Sequence, residues 1–164
     1  MIEKMVVLER IDKIIKTYTA KGLKIAIAES CTGGYVSHMF TNISGASKVF
    51  ERGIVCYSNQ AKIDLLNIER KTLEIHGAVS ENVVKQLAYN VRTLSNVDIG
   101  VGISGIAGPT GGTPEKPVGT VYIGFSTEEE TQANRFDFNA DRITFKKLVL
   151  EKIIEHLEQI VKIN

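Results

Sequence analysis

The apolar residues of this chain repeatedly change their spacing, from the unbroken or alternating runs of strands to the three-and-four spacing of helices, and that alternation restricts the fold more than any other feature. Val7, Ile11, Ile14 and Tyr18 recur at helical spacing until Lys21-Gly22, a basic last turn followed by a C-cap glycine. Ile25 to Ala28 reads as a strand running into Glu29-Ser30-Cys31-Thr32-Gly33-Gly34, and Tyr35 to Phe40 as a helix. Arg52 to Tyr57 predicts a second strand, Asn59 to Asn67 and Arg70 to His76 short helices, and Ser80 the N-cap of a helix reaching about Leu94. Val97 to Ile103, apolar almost throughout, suits a central strand. Gly119 to Ser126 and Gln132 to Asn139 pair around the polar turn Glu128 to Glu130, and Asp141 opens a terminal helix with Phe145, Leu148, Val149, Ile153, Leu157 and Ile160 inward. The implied fold is α/β: three α/β/α layers around a mostly parallel mixed sheet with an antiparallel edge pair, with ligands beyond the carboxyl ends of the strands.

Composition narrows the partners. The 164 residues, 43% of them hydrophobic, predict one domain over 1–164. Twenty basic against 19 acidic side chains leave a net charge of +1, so neither nucleic acid nor a membrane is an expected partner, and any anionic ligand must be held locally. The apolar runs fall short of the roughly 20 residues that span a bilayer, which predicts a cytoplasmic protein. Cys31 and Cys56 form no CxxC and the histidines (38, 76 and 156) are scattered, so no metal site and no cofactor are expected.

Two glycine-containing loops carry the chemistry. Gly33 and Gly34 permit close backbone approach, and the helix they open would aim unpaired N–H groups at a phosphate or an oxyanion. Ser30, Thr32 and the glycines equally fit a plain helix cap. The stretch Ser104 to Pro114 follows the central strand but matches neither a Walker loop nor a GxGxxG turn, which leaves ATP and NAD unsupported and a smaller nucleotide open.

A third region places Ser47 before the second strand, Tyr57 at its end and Lys62 in the helix that follows. A serine hydroxyl needs a base, and a lysine serves if burial lowers its pKa, so Ser47 and Lys62 form a candidate pair with Tyr57 as orienter or proton relay. The alternative is a turn serine and a solvated lysine. Cys31 at a helix start is a further candidate nucleophile, without a histidine near it in sequence.

Four stretches together resemble one family: Ala28-Glu29-Ser30-Cys31-Thr32-Gly33-Gly34; Phe50-Glu51-Arg52-Gly53 with Tyr57-Ser58-Asn59; His76-Gly77-Ala78-Val79-Ser80; and Ser104-Gly105-Ile106-Ala107-Gly108-Pro109 with Lys116-Pro117-Val118-Gly119-Thr120-Val121. The family is the CinA C-terminal domain, or nicotinamide mononucleotide deamidase, family. The resemblance runs from the first helix to the last. It implies hydrolysis of the carboxamide of nicotinamide mononucleotide to nicotinic acid mononucleotide and ammonia, without a cofactor, in a homo-oligomer. It also implies a serine, a lysine and a tyrosine mapping onto Ser47, Lys62 and Tyr57, with a Ser-Lys acyl-enzyme.

On that scheme the backbone N–H groups of Cys31 to Gly34 are the expected oxyanion hole, worth about 3 to 4 kcal/mol per donor. Ser30, Cys31, Thr32, Gly33, Gly34, Ser104 and Gly105 are expected to contact the nucleotide, and Arg142 to clamp its phosphate. Many relatives carry a larger domain ahead of this one, and it is expected to be absent here. Ser104 stands where many relatives have threonine, which keeps the hydroxyl. The rival readings are a catalytically silent nucleotide sensor and an amidohydrolase using Cys31. The competence name of the family gains no support for DNA binding from the near-neutral charge.

Overall fold

The computed structural model describes residues 2–163. In chain order the elements are α1 (Ile2–Lys21), β1 (Ile25–Glu29), α2 (Tyr35–Thr41), a 3₁₀ turn (Ala46–Lys48), β2 (Phe50–Val55), α3 (Asn59–Leu66), α4 (Arg70–His76), α5 (Glu81–Ser95), β3 (Ile99–Gly105), β4 (Thr120–Ser126), β5 (Thr131–Asp137) and α6 (Arg142–Ile163). The strands form one mixed sheet in the order β2-β1-β3-β4-β5. β1 lies between parallel partners, and the β4–β5 hairpin joins β3 antiparallel.

Strand β3 shows why the layers form. Ile99, Val101 and Ile103 point into a core shared with α1 and α6, through Ile11, Ile14 and Tyr18 on one helix and Val149, Ile153 and Leu157 on the other. Alternate residues Gly100 and Gly102 face α5 instead. A Cβ on Gly102 would lie 2.5 Å from the Val84 carbonyl oxygen, so α5 sits directly on backbone. The inner stripe of α5, Val83, Val84, Leu87, Ala88 and Val91, completes the third layer. Ser80 caps this helix as predicted, its side chain accepting from the Val83 N–H.

Boundaries shift where pairing decides them. β2 starts at Phe50, opposite Ile25, and ends at Val55 rather than Tyr57. β3 runs on through Ser104 and Gly105 because these pair with Tyr122 and Val121 of β4. The 3₁₀ turn carrying Ser47 was not expected from the sequence pattern.

Register also places the site. Glu29 lies opposite both Val55 and Ile103, so β1 and β2 end level, β3 runs two residues further, and their following loops open on the same edge. The hairpin brings α6 to that edge too, since Thr120 pairs with Asp137 and Gly105 with Val121. Asp141 caps α6 by accepting from the N–H groups of Ile143 (2.9 Å) and Thr144 (3.1 Å). Among the described residues no helix is long and apolar enough to cross a membrane.

Candidate active site

Lys62 is the anomaly at this edge. Ser58 starts α3 by accepting from the Ala61 N–H at 3.0 Å, and the inward stripe of that short helix consists of Lys62 and Leu66. Lys62 is 1% exposed. Its Nζ donates to Ser30 Oγ at 3.0 Å and to the carbonyl oxygens of Cys56 (3.0 Å) and Tyr57 (3.3 Å). No carboxylate pairs with it among the described residues, and burial lowers its pKa from the usual lysine value. An amine held so, against a serine hydroxyl, is suited to accept that hydroxyl's proton.

The serine hydroxyl against Lys62 is that of Ser30, and the structure does not bring the expected partner Ser47 to it. Ser47 is exposed on the 3₁₀ turn before β2, whereas Lys62 follows β2. A six-residue strand lies between them and spans roughly 20 Å. Tyr57 contacts Lys62 through its carbonyl oxygen, while its phenol, on a residue 59% exposed, accepts from Arg142 at 2.8 Å.

The loop after β1 differs from the expected cradle of free N–H groups. Gly34 starts α2 at φ 92, a left-handed conformation that glycine adopts without strain. Its N–H is not available to a ligand, because the buried Glu29 carboxylate takes it at 3.0 Å together with the N–H groups of Val36 (3.2 Å) and Ser37 (2.7 Å). The Ser37 hydroxyl donates to the same carboxylate at 2.6 Å, and the Gly33 N–H goes to the Ser30 carbonyl at 3.1 Å. The N–H groups of Cys31 and Thr32 bond to no other described residue.

A cleft of about 220 Å³ lies over Ser30, Cys31 and Lys62, walled by Tyr57, Ser104 and Arg142. Gly105 also lines it, whereas Thr32, Gly33 and Gly34 do not. The Ser104 hydroxyl donates to the Ala78 carbonyl at 2.8 Å, which ties β3 to the segment leading into α5 and leaves only the oxygen's lone pairs for a ligand. Arg142 bridges the mouth, donating to the Gly108 carbonyl at 2.7 Å and to the Tyr57 phenol. Cys31 is 5% exposed, and burial pushes its thiol up to about 12, which leaves almost no thiolate at neutral pH.

Several residues at this edge received no site role from the sequence. Asn59 lines the cleft, one residue past the Ser58 cap, as do Ala78 and Val79 ahead of α5 and Ala107 in the loop after β3. Glu29, the last residue of β1, had a readable signal in an acidic side chain just ahead of a helix whose own cap is a glycine. Among the described residues no group of three or more His, Cys, Asp and Glu side chains converges as metal ligands do.

Comparison with known proteins bears on the family and the fold. The CinA C-terminal domain profile matches residues 8–161. A putative competence-damage inducible protein of Thermoanaerobacter is 50% identical over 129 residues, 79% of this chain and 31% of the relative. A CinA-like protein of Kosmotoga olearia is 45% identical over 135 residues, 82% of this chain and 33% of the relative. The chain therefore spans about a third of these relatives' length. Among solved structures, a competence/damage inducible protein from Agrobacterium tumefaciens superposes with a TM-score of 0.87 at 34% identity, covering 95% of this chain and 94% of that one. A CinA superfamily protein from Klebsiella pneumoniae superposes with a TM-score of 0.91 at 28% identity, covering 95% and 98%. With the sequence profile and the whole layered fold in agreement, the chain belongs to the CinA C-terminal domain family.

Proposed function

We propose that this domain hydrolyses the carboxamide of nicotinamide mononucleotide to nicotinic acid mononucleotide and ammonia, with Ser30 as nucleophile and Lys62 as its base. The observation that carries the chemistry is the 3.0 Å contact between a buried, carboxylate-free lysine and a serine hydroxyl at the floor of a cleft. The choice of nucleotide rests on the family resemblance of the sequence. The cleft, at about 220 Å³, is smaller than the roughly 300 Å³ at which drug-sized pockets begin, which suits a single aromatic carboxamide inside and a ribose phosphate at the mouth.

In this reading Ser30 Oγ bonds to the carboxamide carbon as Lys62 Nζ takes the hydroxyl proton. The tetrahedral intermediate places its oxygen toward the Cys31 N–H, which bonds to no other described residue. Collapse breaks the C–N bond, and the proton on Lys62 leaves with ammonia. A water molecule, deprotonated by the same amine, then attacks the Ser30 ester and releases the carboxylate and the free serine. Arg142 at the mouth meets the phosphate, exchanging its bond to the Tyr57 phenol for a charged one.

Release of ammonia and nicotinic acid mononucleotide from purified protein tests the reading. Loss of turnover by at least about a hundredfold in S30A and K62A, with S47A unaffected, is the expected result. An inert parent that still binds the nucleotide moves the domain to the sensing role. A fully active S30A displaces the nucleophile.

A further inference from the structure

We propose that Glu29 is the positioning residue of this site: its buried carboxylate fastens the start of α2 to the end of β1 and thereby holds Ser30 against Lys62. The proposal rests on the reading of Ser30 and Lys62 given above.

Glu29 is fully buried, and no cation pairs with it among the described residues. A buried carboxylate is costly unless donors surround it. Here Oε2 accepts from the Gly34 and Val36 N–H groups and Oε1 from the Ser37 N–H and hydroxyl. All four are donors, which suits a group that only accepts. Helices are commonly capped by a local serine or aspartate at the surface, but α2 has glycine at that position and takes its cap from the strand before it.

That origin has a geometric result. The Glu29 main chain is fixed on its other side, its carbonyl accepting from the Cys56 N–H at 2.9 Å, and the Cys56 carbonyl in turn holds Lys62 Nζ. Ser30 follows Glu29 directly, and its own N–H is pinned to the Ile103 carbonyl at 3.0 Å. Residues 30–34 thus form a loop whose two ends are tied by one side chain, and that loop sets the direction of Ser30 Oγ. The same bonds spend the α2 donors inside the protein, so binding of an external anion falls to Arg142.

Glutamine tests this because it keeps the size and removes one acceptor. Whichever way the amide turns, its NH₂ must face at least one backbone N–H, either that of Ser37 or those of Gly34 and Val36. The loop must shift to relieve that clash, and a shift near 1 Å at a reacting group costs on the order of a hundredfold in rate.

A fluorophosphonate supplies a readout that does not depend on the natural substrate. Ser30 Oγ bonds to phosphorus, fluoride leaves, and the hydroxyl proton passes through Lys62 to solvent. The full chain and E29Q are labelled with it, the modified serine is located by peptide mapping, and nicotinamide mononucleotide turnover is measured beside it.

We expect label on Ser30 in both proteins, a rate constant lower by at least about tenfold in E29Q, a matching fall in kcat, and a final labelled fraction and KM within about twofold of the parent. An irreversibly misfolded fraction lowers the labelled fraction and not the rate constant, and reversible unfolding large enough to slow labelling tenfold shows as a urea midpoint near zero, so a merely structural role is told apart by those two readings. E29Q labelled at the parent's rate overturns the proposal. A parent labelled on Ser30 that releases no ammonia overturns the proposed substrate and leaves the comparison of rates standing. Should E29Q fail to fold, S37A removes one of the four donors, and an unchanged labelling rate there overturns the proposal equally.

Discussion

Lys62 Nζ meets Ser30 Oγ at 3.0 Å across a sequence separation of 32 residues, where parallel strands β1 and β2 end side by side. Two loops distant in sequence supply the hydroxyl and the amine, and the sheet registers them. The other partners of the amine are neutral carbonyls, and among the described residues no carboxylate pairs with it to offset the loss of its hydration.

Activity should therefore rise with pH through the lowered Lys62 pKa and level off once the neutral amine predominates. Stability follows the same direction. The folded pKa lies below the unfolded one, so between the two values the unfolded chain binds more protons and the folded state gains stability as pH rises. A K62M variant should lose turnover and show a flatter dependence of its urea midpoint on pH below the usual lysine value of 10.5, measured beside kcat/KM of the parent. A parent whose rate does not change with pH across that range removes Lys62 as base.

C31A should keep kcat/KM within about threefold of the parent, because a thiol raised by burial to about 12 supplies no nucleophile at neutral pH. Alkylation by iodoacetamide should be slow and should leave Ser30 reactive toward the fluorophosphonate. Loss of turnover by a hundredfold or so in C31A would restore the thiol as nucleophile.

R142A should raise KM by roughly 10- to 100-fold with little change in kcat, the expectation for a charged hydrogen bond to a phosphate distant from the reacting carbon. Y57F should shift KM by less than about threefold, since it removes only the phenol against which Arg142 rests in the free protein. Nicotinamide riboside, which lacks the phosphate, should not distinguish R142A from the parent. An R142A protein with normal KM for the nucleotide places the phosphate elsewhere, and Lys146, half-buried beside Gly33, is then the next cation to remove.

G102A should destabilise the domain by about 2 to 3 kcal/mol, read as a lower urea midpoint at constant slope. Its Cβ would lie 2.5 Å from the Val84 carbonyl oxygen, with Leu87 and the Ala88 backbone also against it, so α5 must lift from the sheet. A midpoint equal to the parent's would mean that α5 rides higher than the structure has it.

What the sequence determined by itself was the set of elements and the family. Helical and strand periods are local properties, so the spacing of Ile11, Ile14 and Tyr18 and the alternation in Ile99 to Ile103 were readable without a partner. The caps at Ser80 and Asp141 were readable for the same reason, each lying within a few residues of the donor it satisfies. Lys62, Arg142 and Ser30 were all visible as candidates. Even the separation of Ser47 from Lys62 was implicit, since any strand between two residues carries them to opposite edges of a sheet.

Only the tertiary structure decided which serine meets the lysine, because that depends on β1 and β2 being adjacent, parallel and level at their ends. It decided equally that the first-turn donors of α2 are consumed from within. Whether the Glu29 carboxylate points to solvent or back under the next helix is a matter of long-range burial, and no periodicity in the sequence encodes it. Secondary structure follows from the order of residues along the chain, whereas the chemistry of this edge follows from which chain ends the sheet places side by side.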